Sequence, residues 1–162
     1  MKVVCFHVIC NKNKGMGHFF RAITVSEFFP KYIKYLFIEN TDIDLKKFNN
    51  LKGIKISYET RKNIISKISK IKPNIIINDR LNTNKREITK LKKFAQKIIN
   101  FEDIGSGSNY CDILINEIYE NRNNLKRNSF WGNKYFFLIN EFIKKNKNIN
   151  CVIADHWKSL EL

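Results

Sequence analysis

Apolar runs of strand length alternate with helix-period segments along this chain, and that alternation limits its possible folds more than any other feature. Strand patterns cover Val3 to Cys10, Tyr35 to Ile38, Ile54 to Tyr58, Ile75 to Ile77, Lys97 to Phe101, Ile113 to Ile115 and Cys151 to Ala154. Helix patterns cover His18 to Phe29, Asp44 to Asn50, Arg61 to Ile71, Asn84 to Ala95 and Phe136 to Lys145. Ile64, Ile65, Ile68 and Ile71 recur at helical spacing, as do Ile88, Leu91, Phe94 and Ala95, so each segment has one face to bury. Such a sequence predicts an α/β domain of three layers, a mostly parallel sheet with helices on both faces. Pro30 closes the first helix, and Pro73 with Asn74 separates a helix from a strand. The asparagine-rich stretch Glu120 to Asn133 reads as a loop. One domain over 1–150, followed by a short tail over 151–162, suits the length.

Composition narrows the function classes. No stretch approaches 18 uninterrupted apolar residues, which argues against a membrane span. The N-terminus reads as a first strand rather than a signal peptide, and Cys5, Cys10, Cys111 and Cys151 lack metal-ligand spacing, so they read as reduced thiols of a cytoplasmic protein. The net charge of +15 invites a nucleic-acid reading. However, 24 of the 30 cations are lysine, scattered among abundant asparagine and isoleucine, the joint enrichment that A/T-rich codons produce. No arginine cluster with interleaved aromatics appears, so a solvated lysine surface is favoured over a nucleic-acid partner.

In open α/β sheets, ligands gather beyond the carboxyl ends of the strands. The segments there are Asn11 to His18, Asn78 to Thr83, Glu102 to Asn109, and Asn116-Glu117, and they hold most of the polar and glycine-rich chemistry. Gly15-Met16-Gly17-His18 opens the first helix, with Arg21 one turn further on. The turn lacks the third glycine of a dinucleotide fingerprint and the Gly-Lys-Ser/Thr ending of a P-loop. Its glycines permit close backbone approach, the helix N-terminus favours an anion, and an imidazole can move a proton near neutral pH. An ordinary turn with His18 as N-terminal cap is the bland alternative. Asp79 either orients a hydroxyl or the His18 tautomer, or caps the next helix or pairs with Arg80. Glu102 and Asp103 are either paired carboxylates or shapers of the Gly105 to Asn109 turn. Asp112 reads as a structural bond to backbone, and His7 and His156 have no metal-ligand spacing.

Five blocks in register carry a family resemblance. They are Gly15-Met16-Gly17-His18 with Arg21; Ile76 to Thr83; Asn100 to Gly105; Cys111 to Glu120; and Tyr135 with Leu138 and Glu141-Phe142. Over roughly Val3 to Phe142 the chain resembles the N-terminal half of the nucleotide-sugar hydrolases of pseudaminic acid biosynthesis. It is closer to the related spore-coat polysaccharide proteins and to the domain fused to CMP-sialic acid synthetase-like proteins. The resemblance implies a Rossmann-like domain, one half of a GT-B architecture related to MurG-type glycosyltransferases. It also implies cofactor-free, metal-independent hydrolysis of a UDP-linked amino sugar, with His18 as general base. Gly15, Gly17, Arg21, Asp79, Glu102, Asp103 and Asn116 would then be substrate-binding, Asp79 and Asn116 lining the sugar pocket. The chain departs from the family at Cys10 to Lys14 and at Leu138-Ile139. The resemblance would place a second domain's first strand at Cys151 to Ala154, so the tail over 151–162 is expected to be a remnant of that domain, and a separately encoded C-terminal domain is an expected partner. A degenerate sugar-binding module and a basic nucleic-acid-binding protein are the competing expectations.

Overall fold

The computed structural model describes residues 1–44, 48, 51, 53–118 and 128–132. Among the described residues seven strands form one sheet: β1 Val3–Ile9, β2 Ile33–Glu39, β3 Ile54–Glu59, β4 Ile75–Asp79, β5 Lys97–Phe101, β6 Ile113–Asn116 and β7 Ser129–Trp131. Their order is β3-β2-β1-β4-β5-β6-β7, and every neighbouring pair is parallel. Among the described residues the helices are α1 Gly17–Ser26, α2 Arg61–Ile71 and α3 Lys85–Leu91, with a 3-10 turn at Ser106–Asn109. This is a Rossmann-like three-layer α/β domain.

The layers follow from side-chain alternation along each strand. On one face, Val4, Phe6, Val8, Leu36, Ile38, Ile75, Ile77, Ile99 and Phe101 pack against Phe19, Ala22 and Val25 of α1. On the other, Cys5, Phe37, Ile76 and Ile98 meet Ile64 and Ile68 of α2 and Ile88 and Leu91 of α3. The chain runs outward from β1 to β3, then returns to the far side of β1 to start β4. Crossovers between parallel strands are right-handed, so helices before and after that return lie on opposite faces. The expected isoleucine stripes hold: Ile65 and Ile71 flank the buried pair on α2, and Phe94 and Ala95 extend the same contact beyond α3.

Local signals set the helix ends. Thr60 and Asn84 cap α2 and α3 by accepting from the N–H groups of Asn63 and Glu87. Lys72 ends α2 at φ 50°, in the left-handed conformation common after helices. Two expectations need correcting. The first helix stops at Ser26 and tightens into i to i+3 turns through Phe29 before Pro30. The stretch expected to be all loop supplies β7, whose backbone pairs with β6 although its sequence carries little apolar alternation. Of the candidate helix Asp44 to Asn50, only Asp44 and Phe48 are described. The candidates Phe136 to Lys145 and Cys151 to Ala154, and the boundary at 150, lie outside the described residues. Phe48 packs on Phe19 and Phe20, with centroids 5.1 and 5.9 Å apart.

The loop after β5 is locked to the loop after β4 through Gly105, where an added Cβ would lie 2.2 Å from the Thr83 carbonyl oxygen. Backbone cannot yield as a side-chain tip can. Gly105→Ala should therefore destabilise the chain by about 1–3 kcal/mol, read as a lower urea midpoint with unchanged slope. An unshifted midpoint would show that the two loops separate freely.

Candidate functional site

The strand order reverses between β1 and β4, and the crevice beyond their carboxyl ends is where doubly wound sheets hold ligands. His18, in the first turn of α1, and Asp79, the last residue of β4, flank that crevice. Their contact is short, with His18 Nδ1 2.7 Å from Asp79 Oδ1. A carboxylate can only accept here, so Nδ1 carries a proton, and in the neutral ring Nε2 then keeps its lone pair. Nε2 makes no hydrogen bond among the described residues, and the ring is 12% exposed, enough to meet a small reactant.

Arg21, one turn along α1, fixes Asp79 from the other side. Its Nε donates to Oδ2 and its Nη2 to Oδ1, each at 2.7 Å, a bidentate fork. Nη1 donates to Glu117 at 3.0 Å and lies 3.6 Å from Glu102. The guanidinium also stacks over Phe101 at 5.4 Å. These carboxylates hold Arg21 still more firmly protonated than usual, against the opposing effect of burial. Glu102 reaches this group because its backbone is left-handed, φ 49°, which breaks the alternation after Phe101 and returns its side chain to the α1 face. Glu117, in the polar segment after β6, is not among the substrate-binding residues that the resemblance implies. Its signal was parity, since Ile113, Ile115 and Glu117 share a face.

The glycine turn is also ordered. The Asn11 side-chain oxygen accepts from the N–H groups of Asn13 and Lys14, and its carbonyl accepts from Gly15 at 2.7 Å. Gly15 has φ 72°, which glycine adopts without penalty. Gly17 begins α1 with open space where a Cβ would be, and no side chain caps the helix. His18 is thus not the N-terminal cap. The lysines at 12 and 14, the uncapped first turn and the His18 ring lie close together along the chain, between Lys12 and Phe20.

Asp103 and Asn116 do not join this cluster. Asp103 accepts from the Thr83 and Gly105 N–H groups and from the Thr83 hydroxyl and Asn100 amide. Asn116 accepts from Asp103 N at 2.9 Å and its amide faces the Asp103 carbonyl. Both are buried, with no free polar edge for a sugar, so the expected pairing of Asn116 with Asp79 in one pocket is corrected. Their role is to pin the loops after β4, β5 and β6 together. Asp112 accepts from Ile98 N at 2.7 Å, the structural bond expected of it.

Asp79 neither caps α3 nor pairs with Arg80, because consecutive residues leave the strand on opposite sides. Arg80 enters a second buried group with Glu39, Glu87 and His7 under α2 and α3, with the half-exposed Arg61 pairing with Glu39 at its edge. There His7 Nε2 donates to Glu39 at 2.9 Å, and burial pushes the imidazole down to about 3, with the Arg80 charge adding to the effect. The folded chain thus holds His7 neutral where the unfolded chain, titrating near 6.5, binds a proton. Stability from this group is full above pH 6.5 and lost as pH falls towards 3. His7→Gln should flatten the acid limb of a stability–pH curve; a limb of equal slope would assign acid lability elsewhere.

Among the described residues, no three His, Cys, Asp or Glu side chains are arranged to hold a metal ion. No described helix is long and apolar enough to cross a membrane. Cys5, Cys10 and Cys111 are free thiols.

Sequence comparison finds a likeness to the "Uncharacterized protein MJ1062" of Methanocaldococcus jannaschii. The two are 29% identical over 147 residues, covering 83% of this chain and 30% of that protein. The chain therefore matches less than a third of its relative's length. No protein-family model and no solved structure matches it.

Proposed function

We propose that this chain is the catalytic half of an enzyme that hydrolyses a UDP-linked amino sugar, or transfers its sugar, with His18 as general base. The Asp79–His18 contact carries the reading. It fixes the tautomer that leaves Nε2 free, at the mouth of the crevice where such sheets take ligands. The uncapped first turn of α1 adds N–H groups suited to a diphosphate, and Lys12 and Lys14 add cationic charge nearby. In this reading a water bound at Nε2 gives its proton to the imidazole as its oxygen attacks the anomeric carbon. The bond from that carbon to the phosphate oxygen breaks, and UDP leaves with the electron pair. Arg21 holds Asp79 in place rather than contacting substrate, and Glu102 and Glu117 hold Arg21.

The reading carries a GT-B-like arrangement in which a second domain supplies most nucleotide contacts, in a cytoplasmic, metal-independent protein of surface polysaccharide or nonulosonic acid synthesis. The length of the relative beyond the matched region, 70% of that protein, is compatible with further domains there. The test is UDP release from UDP-linked diacetamido sugars by this chain, alone and with a complementary C-terminal domain. Turnover in either arrangement supports the proposal. Calorimetric binding without turnover in both would instead identify a sugar-binding module.

A further inference from the structure

Three carboxylates, Asp79, Glu102 and Glu117, converge on the single guanidinium of Arg21, with the His18 ring beside them. These are the charged groups that α1, β4, β5 and β6 turn towards one another. The neighbouring Asp103 is engaged with Thr83 and Asn100, and β7 contributes the uncharged Ser129, Phe130 and Trp131. Asp79 occupies Nε and Nη2, which leaves one nitrogen, Nη1, for two glutamates. With all three acids ionised and the His18 ring neutral, two negative charges would go uncompensated among side chains only 1–2% exposed. Burying unpaired charge costs several kcal/mol, and taking up a proton is the usual relief.

Donor placement decides which acid is neutral. Glu102 Oε1 accepts the N–H groups of Glu117 at 2.6 Å and Ile118 at 3.3 Å, an environment suited to an anion. Each glutamate has one buried oxygen with no partner among the described residues, but Glu117 has no backbone N–H donor and accepts only from Arg21. Burial pushes Glu117 up to about 7; Arg21 opposes this, while the charges of Glu102 and Asp79 add to it.

We propose that Glu117 is a positioning residue, kept as a neutral carboxylic acid, which leaves Arg21 paired with Asp79 and so keeps His18 in its Nδ1–H tautomer. Loss of that proton sets a second anion against Nη1, draws the guanidinium away from Asp79 and frees the imidazole to turn. The proposal concerns proton placement within the chain and holds for any substrate.

The test is an NMR titration of the full chain, with ¹³C-labelled glutamate carboxyls and ¹⁵N-labelled histidine rings. One glutamate signal, absent in Glu117→Gln, should titrate near neutral pH, and the His18 ring nitrogens should inflect at that same pH. In Glu117→Gln that inflection should vanish while the ring keeps its tautomer. Glu102→Gln should move the Glu117 step to lower pH, since a neighbouring anion is gone. Titration of Glu117 in the ordinary carboxylate range, or a His18 ring blind to its step, overturns the proposal. If Glu117→Gln does not fold, the wild-type and Glu102→Gln titrations decide it alone.

Discussion

If the proposed hydrolysis holds, replacing His18 with alanine is expected to lower turnover of the UDP-linked sugar by about 10²–10⁴-fold, the usual contribution of a positioned general base. Substrate binding should change little, because the helix N–H groups and lysines beside it remain. Asp79→Asn is the sharper variant. An amide can donate to Nδ1, which would move the ring proton to Nε2 and block the nitrogen that must accept. Its loss should match that of His18→Ala although the imidazole is still present. The double variant should be scarcely worse than either single change, since the two side chains act as one unit. Rates of UDP release for the three variants, with circular dichroism to confirm folding, check this. An Asp79→Asn enzyme near wild-type rate would remove Asp79 from the mechanism, and a near-normal His18→Ala rate would move the base elsewhere.

The second large effect concerns stability on the opposite face of the sheet. Arg80 is 1% exposed and bridges Glu39 at 3.0 Å to Glu87. Removing one partner of a buried ion group leaves the others charged without compensation, typically at about 3–5 kcal/mol. Arg80→Met should therefore lose that much, against a total of about 5–15 kcal/mol for an ordinary domain. Glu39 keeps His7 and Arg61, so the larger share falls on Glu87, left without its arginine. Adding Glu87→Leu should then recover much of the loss. Urea unfolding of the single and double variants measures both numbers. A single-variant loss below about 1 kcal/mol would show that water reaches this group and screens it.

Much of the scaffold was legible because it is local. Strand runs and isoleucine stripes are periodic along the chain, so the elements they form were readable from neighbouring residues. His18 and Arg21 were legible together for the same reason, since three residues on a helix put them on one face. The exception, β7, owes its strand conformation to hydrogen bonds from β6 rather than to its own residues.

The sequence by itself determined that strands would alternate with helices and that polar residues would gather at the strands' carboxyl ends. It also put an imidazole and a guanidinium at the start of the first helix. Only the tertiary structure decided their partners: Asp79 lies 61 residues from His18, and Glu117 lies 96 from Arg21. It also divided one polar rim into two. Asp79 and Glu117 turn towards α1, whereas Arg80, Asp103 and Asn116 turn to other buried groups, and Glu102 departs from alternation at a left-handed φ. Which face a rim residue takes depends on where its strand stops and how its backbone leaves the pleat. Those choices are set by contacts between loops distant in sequence, and no local pattern encodes them.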